Sequence, residues 1–316
     1  MVAPSRITLV RAPNPSPLTL SGTNSYLIDC GNGQAICIDP GPLIERHVDA
    51  LIQTAASKGV KVTWIAITHG HPDHAPAAVP LSIRTGAHVA AHVNSKAPHD
   101  RSLGDGQPLR MGDTELIAID APGHTMEHLV FFEPRERALF TGDVVLGEGT
   151  VVVAPPNGAM RPYQATLARL LADFPQIDRI YGGHGEPVDD AAGKLRDYIA
   201  HRQLREQQII GELQTGPRTI PQLISAIYAE TDPRLWPAAA RQMLAHLLAL
   251  EQERKVRSSA VERPLTHEER VILAPDWSAS AAGDPEVVRA ELGTDTPPEL
   301  RLYELTSATR STILPN

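Results

Sequence analysis

No stretch of this sequence approaches the roughly 18 consecutive apolar residues that a membrane span requires, so no membrane protein is expected. Positive charge is also in short supply: 29 Lys and Arg stand against 37 Asp and Glu. The net charge of -8 argues against indiscriminate nucleic-acid binding through bulk charge, though a local basic groove stays open. Cysteine is scarcer still, with only Cys30 and Cys37. Neither lies among the metal-capable histidines, which excludes a zinc finger. The pair flanks a Gly31-Asn32-Gly33 hairpin turn and is expected as reduced, buried thiols. The opening residues Met1 to Arg6 lack the apolar core of a secretory signal, so a cytoplasmic location is the expectation. What remains, 42% hydrophobic and 21% charged over 316 residues, suits a soluble globular chain of about two domains.

Against this background one segment stands out, Thr68-His69-Gly70-His71-Pro72-Asp73-His74. It follows a strand-like run from Val62 and places three imidazoles and a carboxylate within six positions. His and Asp are the donors that bind borderline divalent metals such as zinc. In extended backbone His69 and His71 fall on one side. The Pro-Asp-His that follows turns the chain, with Asp73 expected at the start of the next helix.

Strands are expected at Arg6–Val10, Asn24–Asp29, Gln34–Asp39, Val62–Thr68, His88–Ala91, Glu115–Asp120, Leu129–Phe132, Ala138–Phe140 and Arg179–Tyr181. Helices are expected at Leu43–Ser57 and Tyr163–Phe174, an alternation that implies an α/β layer structure. The strands ending at Asp120, Phe140 and Tyr181 each lead into a glycine-bearing turn with a metal-capable residue: His124, Asp143 and His184. With the first segment they supply His69, His71 and His124 for one ion, Asp73, His74 and His184 for a second, and Asp143 to bridge both. That leaves an open position for a water or hydroxide, as a catalytic site requires. Beyond residue 190 the chain turns helical, at Ala191–Glu212, Gln222–Ala229 behind a Thr219–Gln222 capping box, and Pro237–Glu253. A strand-like Lys255–Arg257 follows, completing a small winged-helix-like unit with nine Lys or Arg against seven Asp or Glu between residues 196 and 258. Residues 259–316 hold five Arg against ten Asp or Glu and read as an acidic, partly ordered extension, with apolar islands at Val271–Leu273 and Leu300–Leu305. The expected division is therefore 1–190, 191–258 and 259–316.

Asp39, His69-x-His71-x-Asp73-His74, His124, Asp143 and His184 together resemble the five ordered motifs of the metallo-β-lactamase superfamily, over roughly residues 6 to 190. The resemblance implies a four-layer αβ/βα sandwich with two Zn2+ at one edge, braced by Asp39 as a hydrogen-bonding residue that is not a ligand. Leu146–Thr150, Gly182–Gly185 and Tyr198–Gln208 resemble more narrowly the beta-lactamase-like protein two branch, which contains an endoribonuclease and also ends in a small helical domain. Residues 259–316 have no counterpart in it. Asp143 stands where many zinc β-lactamases carry Cys, and His71 where flavodiiron proteins carry Glu, so a dedicated lactamase and oxygen chemistry are both disfavoured.

The expected activity is zinc-dependent hydrolysis by a metal-bridging hydroxide, with Asp73 orienting the nucleophile or accepting its proton. Single-stranded RNA is the first substrate expectation, with Arg202 and Arg205 as phosphate contacts. A small-molecule ester, thioester or lactam is the second. A non-catalytic nucleic-acid-binding module is the third, and it would be marked by an incomplete ligand set.

Overall fold

The computed structural model of the chain describes residues 5–273, 284–292 and 299–313. Its elements in chain order are β1 Ile7–Arg11, β2 Asn24–Asp29, β3 Gln34–Ile38, α1 Glu45–Ser57, β4 Lys61–Ala66, α2 Ala78–Thr85, β5 His88–His92, β6 Arg101–Leu103, β7 Pro108–Met111, β8 Thr114–Asp120, β9 Leu129–Glu133, β10 Ala138–Gly142, α3 Met160–Asp173 and β11 Arg179–Gly182. One sheet runs β1-β2-β3-β4-β5-β6 and the other β11-β10-β9-β8-β7. The first is antiparallel through β3 and parallel from β3 to β6; the second is antiparallel except for β10 beside β11.

The central strands β2, β3, β9 and β10 are buried along nearly their whole length, because the sheets are covered on both faces there. Between the sheets, Ile28, Ile36 and Ile38 of the first meet Leu116, Ala118 and Phe131 of the second. Tyr26 reaches across at the centre, its ring edge-on to Phe140 and Tyr181 with centroids 5.4 Å and 5.3 Å apart. Outside the first sheet α1 and α2 pack Val48, Leu51 and Leu81 on Val62 and Ile65. Outside the second, α3 packs Tyr163 and Leu167 on Ile119, Val130 and Leu139. Helix, sheet, sheet and helix thus give the four layers expected.

The next helix, α4 Ala191–Thr215, joins two cores: Leu195 and Tyr198 lie in the outer layer of the sandwich, whereas Ile209 and Leu213 lie in a separate core. That second core is closed by β12 Arg218–Thr219, α5 Ile220–Ile227, α6 Trp236–Gln252, β13 Val256–Ala260, α7 His267–Leu273 and β14 Arg301–Leu305. Thr219 and Gln222 cap α5 reciprocally as their spacing implies.

Three expectations change. The segment 68–77 is irregular and the next helix begins only at Ala78, so Asp73 does not open it. Pro72 and Pro76 withhold N–H donors, and the Asp73 carboxylate is drawn inward instead of capping. The strand expected to end near Arg257 runs to Ala260. The apolar island at 300–305 is β14, seated between β12 and β13 as the middle of their sheet, with Leu300, Tyr303 and Leu305 buried. Residues 274–283, 293–298 and 314–316 of the acidic extension lie outside the described residues. Cys30 and Cys37 are free and buried.

Candidate metal centre

The loops that follow β3, β4, β8, β10 and β11 meet at one edge of the sandwich, the position where α/β layers assemble sites from strand ends. Asp39 follows β3 with a left-handed φ of 47°, which turns its carboxylate back beneath the β4 loop. Its Oδ1 accepts the Thr68 N–H at 2.8 Å, and its Oδ2 accepts the Thr68 hydroxyl at 2.7 Å and His74 Nδ1 at 2.8 Å. With that hydroxyl donating to Asp39, its oxygen accepts from His69 Nδ1 at 3.0 Å. His124 Nδ1 donates to the Val152 carbonyl at 2.9 Å. In each case the Nδ1 proton is committed to the protein and Nε2 turns to the centre, as outer partners of metal-binding imidazoles arrange.

Three overlapping groups of ligand atoms lie within 4.8 Å of one another: His69, His71 and His124; His69, His74 and Asp143; Asp73, His74 and His184. Asp143 stands between them, its carboxylate 3.4 Å from both His74 Nε2 and His184 Nε2 and 4.0 Å from His124 Nε2. Buried His69 Nε2, His74 Nε2, Asp73 Oδ1 and Asp143 Oδ1 have no hydrogen-bond partner. Each such orphan costs about 1–3 kcal/mol when nothing satisfies it. Their convergence therefore fits divalent cations well, and five imidazoles with two carboxylates are the donors that borderline ions favour.

The electrostatics agree. Burial works against the charge on His74, but Asp73, Asp143 and Asp39 together overcome it and hold the imidazole up at about 9. For His184, too, burial opposes protonation, and Asp143 and Asp73 raise it well above the usual histidine range. Burial alone would raise both carboxylates, yet His74 and His184 keep Asp73 and Asp143 strongly depressed. The carboxylates thus call for positive charge. His69, with no carboxylate so close, is pushed well below its ordinary value, first by burial and then by the other imidazoles.

Two supporting residues carry no sequence signal of their own. Thr23 Oγ1 donates to Asp73 Oδ2 at 2.8 Å, while Asn14 Oδ1 accepts the Thr23 N–H at 2.9 Å. His128 Nε2 accepts the Asp143 N–H at 3.1 Å. A lone Thr in a strand lead-in, or a His four residues after His124, is common in cores that bind nothing. Gly183 is required sterically: a Cβ there would collide with Asp143 Oδ1 and stand 2.6 Å from His74 Cε1.

Two clefts reach this centre. One, of about 610 Å³, is lined by His71, Val79, Lys96, Met126 and Asn157 and walled on one side by Ala290 of the helix Pro285–Leu292. The other, of about 300 Å³, runs from Asp143 toward the second core, past Leu18, Leu20 and Val152 to Arg205, Tyr228 and Ala239. Here the expectation of Arg202 and Arg205 as phosphate contacts is corrected for Arg202. Arg202 is 0% exposed, donates to the Val151 carbonyl at 2.8 Å and lies over the Tyr163 ring at 5.1 Å. It falls on the buried stripe of α4 with Leu195, Tyr198, Ile209 and Leu213, where the second core and the sandwich leave no path to solvent. Arg205, half-buried and 4.1 Å over Tyr228, does line the cleft.

Residues 18–184 match the metallo-beta-lactamase superfamily, and residues 219–262 match the beta-lactamase associated winged helix domain. The chain is 34% identical over 268 residues to the beta-lactamase-like protein 2 homolog of Drosophila melanogaster, covering 78% of this chain and 88% of that protein. It is 30% identical over 263 residues to the lactamase-like protein aptB of Emericella nidulans, covering 79% and 82% respectively. In fold it resembles the crystal structure of a metallo-beta-lactamase family protein from Thermus thermophilus, with a TM-score of 0.68 at 24% identity over 81% of this chain and 96% of that one.

Proposed function

The chain belongs to the metallo-beta-lactamase superfamily, and from that premise we propose a hydrolase working with two zinc ions on small acyl substrates, thioesters, esters or lactams. The observation that supports the metal reading is three overlapping groups of buried ligand atoms, each group within 4.8 Å internally, with His69 Nε2, His74 Nε2 and Asp143 Oδ1 left without hydrogen-bond partners. His69, His71 and His124 would hold one ion, Asp73, His74 and His184 the other, and Asp143 both. Zinc held there would supply acidification of water toward neutral pH and would offset charge on the attacked group.

The rest of the chemistry falls to the protein. Thr23 and His184 fix Asp73 Oδ2, so Oδ1 is left to orient the attacking water. Asp39 keeps His74 and, through Thr68, His69 in one tautomer. Leu18, Leu20, Val152 and Ala239 shed water from the smaller cleft and suit an acyl group. Cleavage of single-stranded RNA is the second reading, favoured by Lys96 and Arg205 standing in the two clefts on either side of the centre. It has lost Arg202, and single-strand binders rely on a groove of several cations. A side-by-side assay of RNA, a thioester and a lactam on one zinc-loaded preparation tests the choice, with Asp73→Ala as the control for contaminating activity. Rapid RNA cleavage abolished by Asp73→Ala, with thioester and lactam intact, would overturn the acyl reading.

A further inference from the structure

The smaller cleft has a polarity along its length. At one end is Asp143, and at the other the α4 residues His201 and Arg205 face α6 residues Ala239 and Gln242, with apolar walls between. Arg205 donates through Nη1 to Gln208 at 2.8 Å, but its Nε, though buried, has no hydrogen-bond partner. One turn away, Arg202 also leaves Nε and Nη1 without partners. Among the described residues no carboxylate forms an ion pair with either guanidinium, although most other arginines of the sandwich have one. Apart from Asp143, the only acidic residue lining the cleft among the described residues is Glu148, at its exposed rim. Arg205 is half-buried and rests on the Tyr228 ring, but no carboxylate offsets its charge, and a guanidinium in an apolar cleft without a counter-charge is a place where a ligand can supply one.

We infer that Arg205 is a specificity residue that receives an anionic group at the far end of the acyl chain, so that the substrate is an acyl compound bearing a terminal carboxylate. This rests on the acyl-hydrolase reading above. The apolar walls take the intervening methylenes, and the scissile carbonyl comes to the Asp143 end. A guanidinium recognises a carboxylate through paired N–H donors, which an ammonium or amide does not reproduce. His201 lies beside it, held down at about 4 first by burial and then by Arg202 and Arg205, so it is neutral at pH 7 and adds no charge of its own. A cleft of about 300 Å³ is at the small end for ligand sites, which sets a short chain.

The test compares two probes that differ only in the terminal charge, glutarate and pentanoate, by calorimetry on zinc-loaded full-length protein. Any contact of the shared carboxylate with the metals cancels in their ratio. We expect glutarate to bind about tenfold more tightly than pentanoate in the parent, as one charge-assisted contact provides. In Arg205→Gln the ratio should fall to near one, with zinc content and circular dichroism unchanged. Ala239→Leu, which narrows the cleft while keeping the guanidinium, should weaken both probes. Equal ratios in parent and Arg205→Gln, or indifference of both probes to Ala239→Leu, overturn the inference. Glutaryl and pentanoyl thioesters of one thiol form the kinetic arm, where the parent should favour the glutaryl compound in KM. If the binding pattern holds and neither thioester is cleaved, the pocket stands and the acyl-hydrolase reading falls. If both are cleaved with equal KM and the binding ratio is flat, the reverse is true.

Discussion

His128 accepts the backbone N–H of Asp143 at 3.1 Å while its ring stacks on that of His69, with centroids 4.6 Å apart and planes 18° from parallel. One buried side chain thereby ties the residue between the two ligand groups to the first histidine of the motif. Burial first, then the neighbouring His124, holds its imidazole far below the usual range, so Nε2 stays unprotonated and able to accept. Outer residues of this kind typically alter metal affinity about 10–100-fold. His128→Ala is expected to weaken zinc binding by that amount without removing a ligand. Competition against a chromophoric chelator measures it, and unchanged affinity would make His128 mere packing.

The acidic extension is more than an appendage. Because β14 is the middle strand between β12 and β13, ending the chain at Ser258 strips both neighbours of their pairing and removes Leu300, Tyr303 and Leu305 from the second core. Each buried side chain of this size contributes about 1.5–3 kcal/mol. The truncated protein should be strongly destabilised in chemical denaturation, with the loss concentrated in the helical unit. A denaturation midpoint equal to that of the full chain would place the stability elsewhere.

Acid should act in part through His246, which lies outside the metal centre. This imidazole is fully enclosed, and burial, aided by Arg202 and Arg161, lowers it to about 3. A histidine depressed from about 6.5 when unfolded binds its proton more readily in the unfolded chain, so its contribution is complete above about 6.5 and is lost as pH falls toward 3. At pH 5 the difference amounts to about 2 kcal/mol. His246→Leu should therefore lose less stability between pH 7.5 and 5 than the parent does, in thermal unfolding of the two proteins side by side. Parallel declines would contradict the assignment.

Much of the candidate centre is legible in the sequence because its candidate ligands are dense there. Four of them fall between His69 and His74, and His124, Asp143 and His184 each follow an apolar strand that identifies itself. Asp39 was readable only through the family motif, since a single Asp-Pro-Gly is an ordinary turn. Thr23 and His128 were not readable, because their roles exist only once β2 lies beside the β11 loop and β9 beside the β4 loop. Residue type points Arg202 to the surface, whereas its spacing from Leu195, Tyr198 and Ile209 places it on the buried stripe of α4. Strand β14 escaped for a different reason. Its five residues are short and pair with a strand more than 40 positions away, so the sequence shows an apolar island but not the neighbours that make it a central strand.

The central claim is a centre holding two ions through seven side chains, and elemental analysis of protein loaded with excess zinc and then desalted tests it most directly. About two zinc ions per chain are expected in the parent, about one in His124→Ala and in His184→Ala, and weakened retention of both in Asp143→Ala. A single ion per chain in the fully loaded parent, retained in either histidine variant, would contradict it.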